Sequence, residues 1–237
     1  MSDWKPKRFW TNSTAIQAED GYTVELDGRR VKTPAKAALI LPTKAMAEAV
    51  AAEWDAQDKE VDPTTMPFTR SANAAIDKVR PQRAEIVDLI ADYGDSDLLC
   101  YRADSPLELV ERQGATWDPI LQWAKNTFGV TLVPRTGVIH AAQDPKALAV
   151  LKGEVAALDE FQLVACHDLV SLSGSLVIGL AALKKSMDIG DLWVASRLDE
   201  LWQQEQWGID DEAEIVANRK RDDFFHAANF TELCKSS

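Results

Sequence analysis

Cys166-His167-Asp168 brings a nucleophile, a base and a carboxylate together in three consecutive residues. A catalytic cysteine needs a base within hydrogen-bond reach, and that base needs an orienting group. Consecutive residues on a helix point in divergent directions, so adjacency alone does not build the relay. Two readings stay open: a site group, or a core cysteine beside a polar pair. His140 and His226 are isolated in sequence. Gly174-Ser-Leu-Val-Ile-Gly179 has the glycine spacing of a phosphate loop but lacks the lysine and the preceding strand. The patterns G-x-G-x-x-G, G-x-S-x-G and H-E-x-x-H do not occur. Asp223-Phe-Phe-His226 is a single near-match where a di-iron bundle needs Glu-x-x-His pairs. The expectation is a protein without catalytic residues, metal or cofactor, acting by binding or assembly.

Recognition chemistry is written in Ile189 to Gly208. The segment predicts one helix, capped at Asp191 after Gly190 and closed at Gly208, a residue that turns left-handed without a Cβ clash. Val194, Leu198 and Leu201 form an apolar stripe at i, i+4, i+7. A second stripe is mixed: Trp193, Arg197, Glu200, Gln204 and Trp207, with Asp199 beside Glu200. Aromatics at both ends, with an ion pair and an amide between them, fit the centre of an interface. The alternative is that both rings are core and Arg197/Glu200 is an ordinary surface pair.

The elements that must position this segment predict an α+β fold. A small β-rich domain over residues 1–65, with one helix, precedes a larger mostly helical domain over 66–237. Tyr22 to Leu26 alternates, Asp27-Gly28 is a hairpin signal, and Arg29 to Lys32 begins the return strand. Ala38 to Leu41 is a candidate further strand, and Thr43 caps a helix carrying Trp54. Val61 to Pro67 is the expected linker. Beyond it, helices are predicted over 68–79 and 81–93, then from Ser105 as cap with Pro106 at the first position, broken at Pro119. Val130 to Val133 and Val138 to His140 are β-like runs. Asp144 caps a helix to Leu158, a second runs from Asp159 to Leu183, and Asp210 or Asp211 caps a last one to about Cys234.

The chain has 237 residues, is 46% hydrophobic and 27% charged, and carries a formal net charge of −12. That composition is ordinary for a soluble globular protein. The charge argues against nucleic acid and against an anionic membrane surface, because like charges give up the counterion-release gain. Cys100, Cys166 and Cys234 are scattered and form no CxxC, which fits a reducing compartment. The start, MSDWKPKRFW, has no apolar leader region. The expectation is cytoplasmic.

Four segments occur in a set order: Glu53-Trp-Asp-Ala-Gln57, Ser96-Asp-Leu-Leu-Cys-Tyr-Arg102, Trp117-Asp-Pro119 with Trp123, and Ser196-Arg-Leu-Asp-Glu200 followed by Gln203 and Trp207-Gly208. Together they make the chain resemble the ATP12 family, assembly chaperones of the F1 sector of ATP synthase, over nearly its whole length. The resemblance implies a bacterial, α-proteobacterial-like member, cytoplasmic where its mitochondrial relatives are in the matrix. It also implies binding of the free F1 α subunit before α meets β, without turnover, by a protein that is a monomer when free. The family's critical acidic position falls on Glu200, with Asp199 as the neighbouring choice. Arg197, Trp193, Gln204 and Trp207 complete the expected partner-binding set. Trp54, Tyr101 and Trp117 are expected to hold the fold. The competing reading is a small-molecule enzyme using an inter-domain cleft around Arg197 and Glu200, with His167 as a further candidate site group.

Overall fold

Asp27 and Gly28 both adopt positive φ (48° and 79°), the backbone a two-residue hairpin turn requires. The turn joins β2 (Gly21–Leu26) to the short β3 (Arg29–Arg30), and β2 also pairs antiparallel with β1 (Ser13–Ala18). The Asp27 carboxylate accepts hydrogen bonds from the Asn12 and Thr11 N–H groups, which hold it below the usual carboxylate range. These features belong to a computed structural model that describes residues 7–235.

The sheet packs on α1 (Lys44–Asp55), whose Thr43 cap accepts from the Met46 N–H at 3.1 Å. Val24, Leu39, Leu41, Met46 and Val50 are fully buried there. Ala38 to Leu41 does not form the expected strand. Its contact narrows to single bridges, Tyr22 with Leu41 and Lys32 with Ala38. Gly21 makes the first possible: φ is +144°, and a Cβ there would sit 2.5 Å from the Leu41 carbonyl oxygen.

The backbone divides into two compact units. One comprises Met1–Arg83, Asp159–Ala165 and Asn229–Ser237; the other, Ala84–Leu158 and Cys166–Ala228. The first unit thus reaches beyond residue 65. The Glu53 carboxylate explains why: it accepts from the N–H groups of Phe68 (2.6 Å) and Thr69 (2.7 Å), capping α2 (Pro67–Ala74) from α1. A five-residue π-helical turn, Ala75–Val79, continues α2.

The second unit opens with α3 (Arg83–Ala91) and is built around α4 (Leu107–Phe128) and α7 (Leu176–Leu183). Every residue of α7 is buried. Helix α4 starts one residue later than expected, with Pro106 extended at its cap, and runs through Pro119 without a break. The proline costs one backbone hydrogen bond, but Trp117, Ile120 and Ala124 are all buried along the same helix and hold it.

Two short runs expected as strands are not strands. The Gln143 side chain takes the place of a strand partner, accepting from the Val133 N–H (2.8 Å) and donating to the Val133 carbonyl (3.1 Å). Pairing falls instead between β4 (Tyr101–Arg102) and β5 (Arg135–Thr136), which are parallel. Then come α5 (Pro145–Ala156), capped by Asp144, and α6 (Glu160–Ser173). The helix expected through to Leu183 stops at Gly174 (φ +71°) and restarts when the Ser175 hydroxyl accepts from the Ile178 N–H. The Asp97 carboxylate, fully buried, accepts from Leu99 N–H (3.1 Å) and Val177 N–H (3.0 Å), tying the Ser96–Arg102 segment to the start of α7. Among the described residues no helix is long and apolar enough to cross a membrane.

Candidate partner-binding site

The stretch predicted as one helix is two: α8 (Ile189–Ser196) and α9 (Leu198–Trp207). Asp188, not Asp191, caps the first, accepting from Gly190 N–H at 2.8 Å. The break lies at Arg197, which leaves helical geometry (φ −109°, ψ 11°). Ser196 supplies the local cause: its hydroxyl donates to the Trp193 carbonyl at 2.7 Å, competing with the helical ladder. Gly208 closes α9 at φ +94°, followed by α10 (Asp211–Leu233).

Helix α4 holds the pair from behind. The buried Trp117 indole donates to the Ala195 carbonyl at 2.8 Å. Gln113, also buried, accepts from Ala103 N–H (2.9 Å) and donates to the Asp199 carboxylate (2.7 Å). Arg112 pairs with Glu205 at 2.6 Å and lies 6.0 Å from the Trp202 ring. The hydrogen bond from Arg112 holds the Glu205 carboxyl below its ordinary range.

The break changes which residues share a surface. Trp193 is 8% exposed and packs against Phe224, with ring centroids 5.4 Å apart, so it is core. Val194, expected to face inward, is 51% exposed. Arg197 and Glu200 pair at 2.8 Å with side chains 20% and 47% exposed, and the guanidinium lies 6.0 Å from the Trp193 ring. Gln204 is half-buried, and Trp207 is 80% exposed. Asp199 is engaged by Gln113, so Glu200 is the more outward of the two acids. Ile209, Ile215 and Val216 are exposed apolar residues close by in the chain. Arg112 and Gln113 were not legible as supports, because the contacts between α4 and α9 join residues 93 and 86 positions apart and leave no local signal. Val194 was not legible as exposed, because the phase change at Arg197 turns one expected stripe into two faces.

The catalytic fragment separates. Cys166 is buried, and burial pushes its thiol up to about 12, leaving no thiolate at neutral pH to act as nucleophile. His167 and Asp168 meet at 3.0 Å, and that hydrogen bond raises the imidazole above its ordinary value. No group of three His, Cys, Asp or Glu side chains among the described residues is placed to hold a metal ion.

The ATP12 chaperone protein family matches residues 7–125. The crystal structure of Atp12 from Paracoccus denitrificans superposes with a TM-score of 0.95 at 44% identity, covering 98% of this chain and all of that one. The Atu1473 protein of Agrobacterium tumefaciens follows at 0.92 and 38%, covering 97% of this chain and 87% of that one. Mitochondrial protein atp12 of Schizosaccharomyces pombe is 26% identical over 225 residues, 90% of this chain and 77% of that protein. Fold and likeness together define a class, α+β chaperone proteins with a small N-terminal sheet followed by helices. Within that class the chain belongs to the ATP12 family, whose members are chaperones of ATP synthase assembly.

Proposed function

We propose that the chain binds the free α subunit of F1 through the α8–α9 surface and covers it until β arrives. The observation that carries this reading is that α9 bears both the half-exposed Glu200, paired with Arg197, and, two turns further on, a Trp207 ring that is 80% exposed. A solvent-facing tryptophan on the same helix as an ion pair is what an interface offers before its partner closes over it. The pair stands on helices fixed by Trp117, Gln113 and Arg112, so little ordering entropy remains to be lost on binding.

A newly made α subunit exposes surface that β later covers, and such species aggregate. A temporary cover of roughly 1,600 Å² suffices, and its affinity rests on a few central residues. Release requires no turnover. The β subunit needs only the better-matched interface. The chain acts in this reading as a cytoplasmic monomer, and its helical part carries the contact.

A pull-down with purified α and β subunits, singly and mixed, tests it. Capture of α alone, loss of α when β is added, and no capture of β alone are the expected results. Capture of both subunits equally, or of neither, overturns the proposal.

A further inference from the structure

The first unit holds a hollow of about 460 Å³ that the α8–α9 reading does not use. Trp10 and Trp54 make part of its wall, edge to face with centroids 5.2 Å apart, and the Trp10 indole donates to the Trp54 carbonyl. Phe9 stands edge-on to Trp10 at 5.2 Å and is 65% exposed. Among the described residues the buried Trp54 indole N–H finds no acceptor, a polar atom that calls for an explanation.

Among the described residues, every charged side chain lining the hollow is a cation: Lys7, Arg29, Arg30 and Lys32. In a chain with 38 acidic and 26 basic residues, this is a local reversal of sign. Arg30 is partly answered by Glu25 at 3.6 Å, and Arg29 lies 6.0 Å from the Phe9 ring. Lys7, Arg29 and Lys32 have no ion-pair partner among the described residues. The hollow runs beside β3, which is the outer strand of the order β1-β2-β3.

Cations on an edge strand can serve only to keep other strands away. That purpose explains Arg29 and Arg30. It does not explain an exposed phenylalanine, a tryptophan-walled hollow and two further unpaired lysines at the same place. The aromatic rings meet edge-on, not as parallel plates, so they fit branched or aromatic side chains better than a flat base. The volume is within the range of specific binding sites.

We infer that this hollow is a second contact site, taking an acidic, extended segment of a protein partner that seats an apolar side chain in the hollow against Phe9 and the two tryptophans. Carboxylates of the segment pair with Lys7, Arg29 and Lys32, and its backbone runs along β3 in the manner of strand addition. The site lies in the first unit, and the inference does not depend on which protein α8–α9 engages.

The test uses the full chain and a fluorescein-labelled acidic hexapeptide, DELDFE, against its amide counterpart NQLNFQ, followed by anisotropy and tryptophan emission. Saturable binding of the acidic peptide is expected, weakened at least ~10-fold in the amide counterpart and by raising salt across the range where the Debye length falls to ~3 Å. The double variant Arg29→Glu/Lys32→Glu should lose at least ~10-fold, and Phe9→Ala a similar factor, because both anchors are exposed and the fold does not rest on them. Glu200→Lys should leave peptide binding unchanged, which separates this site from the α8–α9 reading. Equal binding of both peptides, retention in the charge-reversed variant, or no saturation up to millimolar peptide overturns the inference. Displacement by inorganic phosphate or a mononucleotide at equal concentration overturns it in favour of a small-anion site.

Discussion

Reversing the charge at Glu200 separates a binding role from a structural one. The residue sits in the first turn of α9, pairs with Arg197 three positions back, and has a side chain 47% exposed. An exposed i,i+3 pair contributes at most ~0.5 kcal/mol. An acid near a helix N-terminus adds ~0.3–1 kcal/mol, which a lysine reverses. Glu200→Lys should therefore cost ~1–2 kcal/mol of stability, and each kcal/mol lowers Tm by ~2–4 °C in a chain of this size. Trp117, Gln113 and the Trp193–Phe224 contact remain to hold α8 and α9 in place. In an interface that desolvates the pair, leaving like charges together costs ~2–5 kcal/mol, at least ~30-fold in Kd. Calorimetric melting beside titration of purified α subunit reads both quantities on one preparation. A melting point lowered by more than ~10 °C shows that Glu200 holds the fold, and unchanged affinity shows that the surface lies elsewhere; either result refutes the reasoning.

Burial pushes the Asp97 carboxyl up to about 6, outweighing the N–H groups of Val177 and Leu99 that favour the charged form. Folded Asp97 therefore keeps its proton where the unfolded chain has lost it, so its contribution is full below pH 3.8 and is lost by about pH 6. That interval corresponds to ~3 kcal/mol, and the stability difference between wild type and Asp97→Asn should shrink by this order between pH 4 and pH 7 in urea titrations. A carboxyl carbon titrating below pH 4 by NMR would contradict it. Gly179→Ala puts a Cβ 2.4 Å from Val170 Cγ2 and 3.3 Å from its backbone nitrogen, so α6 and α7 must part. A loss of ~2 kcal/mol is expected, with partial recovery in Gly179→Ala/Val170→Ala; an undiminished urea midpoint in the single variant refutes the close approach. Glu53→Ala removes the acceptor for Phe68 N–H, Thr69 N–H and the Thr69 hydroxyl. It should cost ~2–3 kcal/mol, with Glu53→Gln recovering about half because one oxygen remains, and equal losses in both variants would show that charge, not capping, is what matters.

The elements legible in the sequence are those whose cause lies within four residues. Thr43 and Asp144 cap helices where they were expected to, and of the two candidates for the last helix Asp210 is the cap, because a cap is a bond between a side chain and the backbone two or three residues on. Asp27-Gly28 turned as expected for the same reason. Two caps fell elsewhere than expected, at Pro106 and Asp188, three short runs did not form strands, and continuity failed as well. Two expected long helices are broken, at Gly174-Ser175 and at Arg197, and in both a serine hydroxyl takes a backbone partner the helix would have used or supplied. Periodicity reports which residues are apolar, but a single break changes the phase, so Trp193 went inward and Val194 outward.

The segments that carry the family likeness divide along this same line. Asp97 and Trp117 are wholly buried and bond to backbone about 80 residues away, Asp97 to Val177 and Trp117 to Ala195. A fold of this kind needs them whatever it binds, so their presence argues for architecture. Among the described residues Glu200 and Trp207 have no comparable bond to the core: one is half-exposed and holds Arg197, the other stands in solvent. A large aromatic ring left in water contributes little to folding, which is why the proposed contact surface includes it. Exposure is therefore what points to a partner at the proposed α8–α9 surface, a property that the sequence pattern could not rank and that the break at Arg197 redistributes.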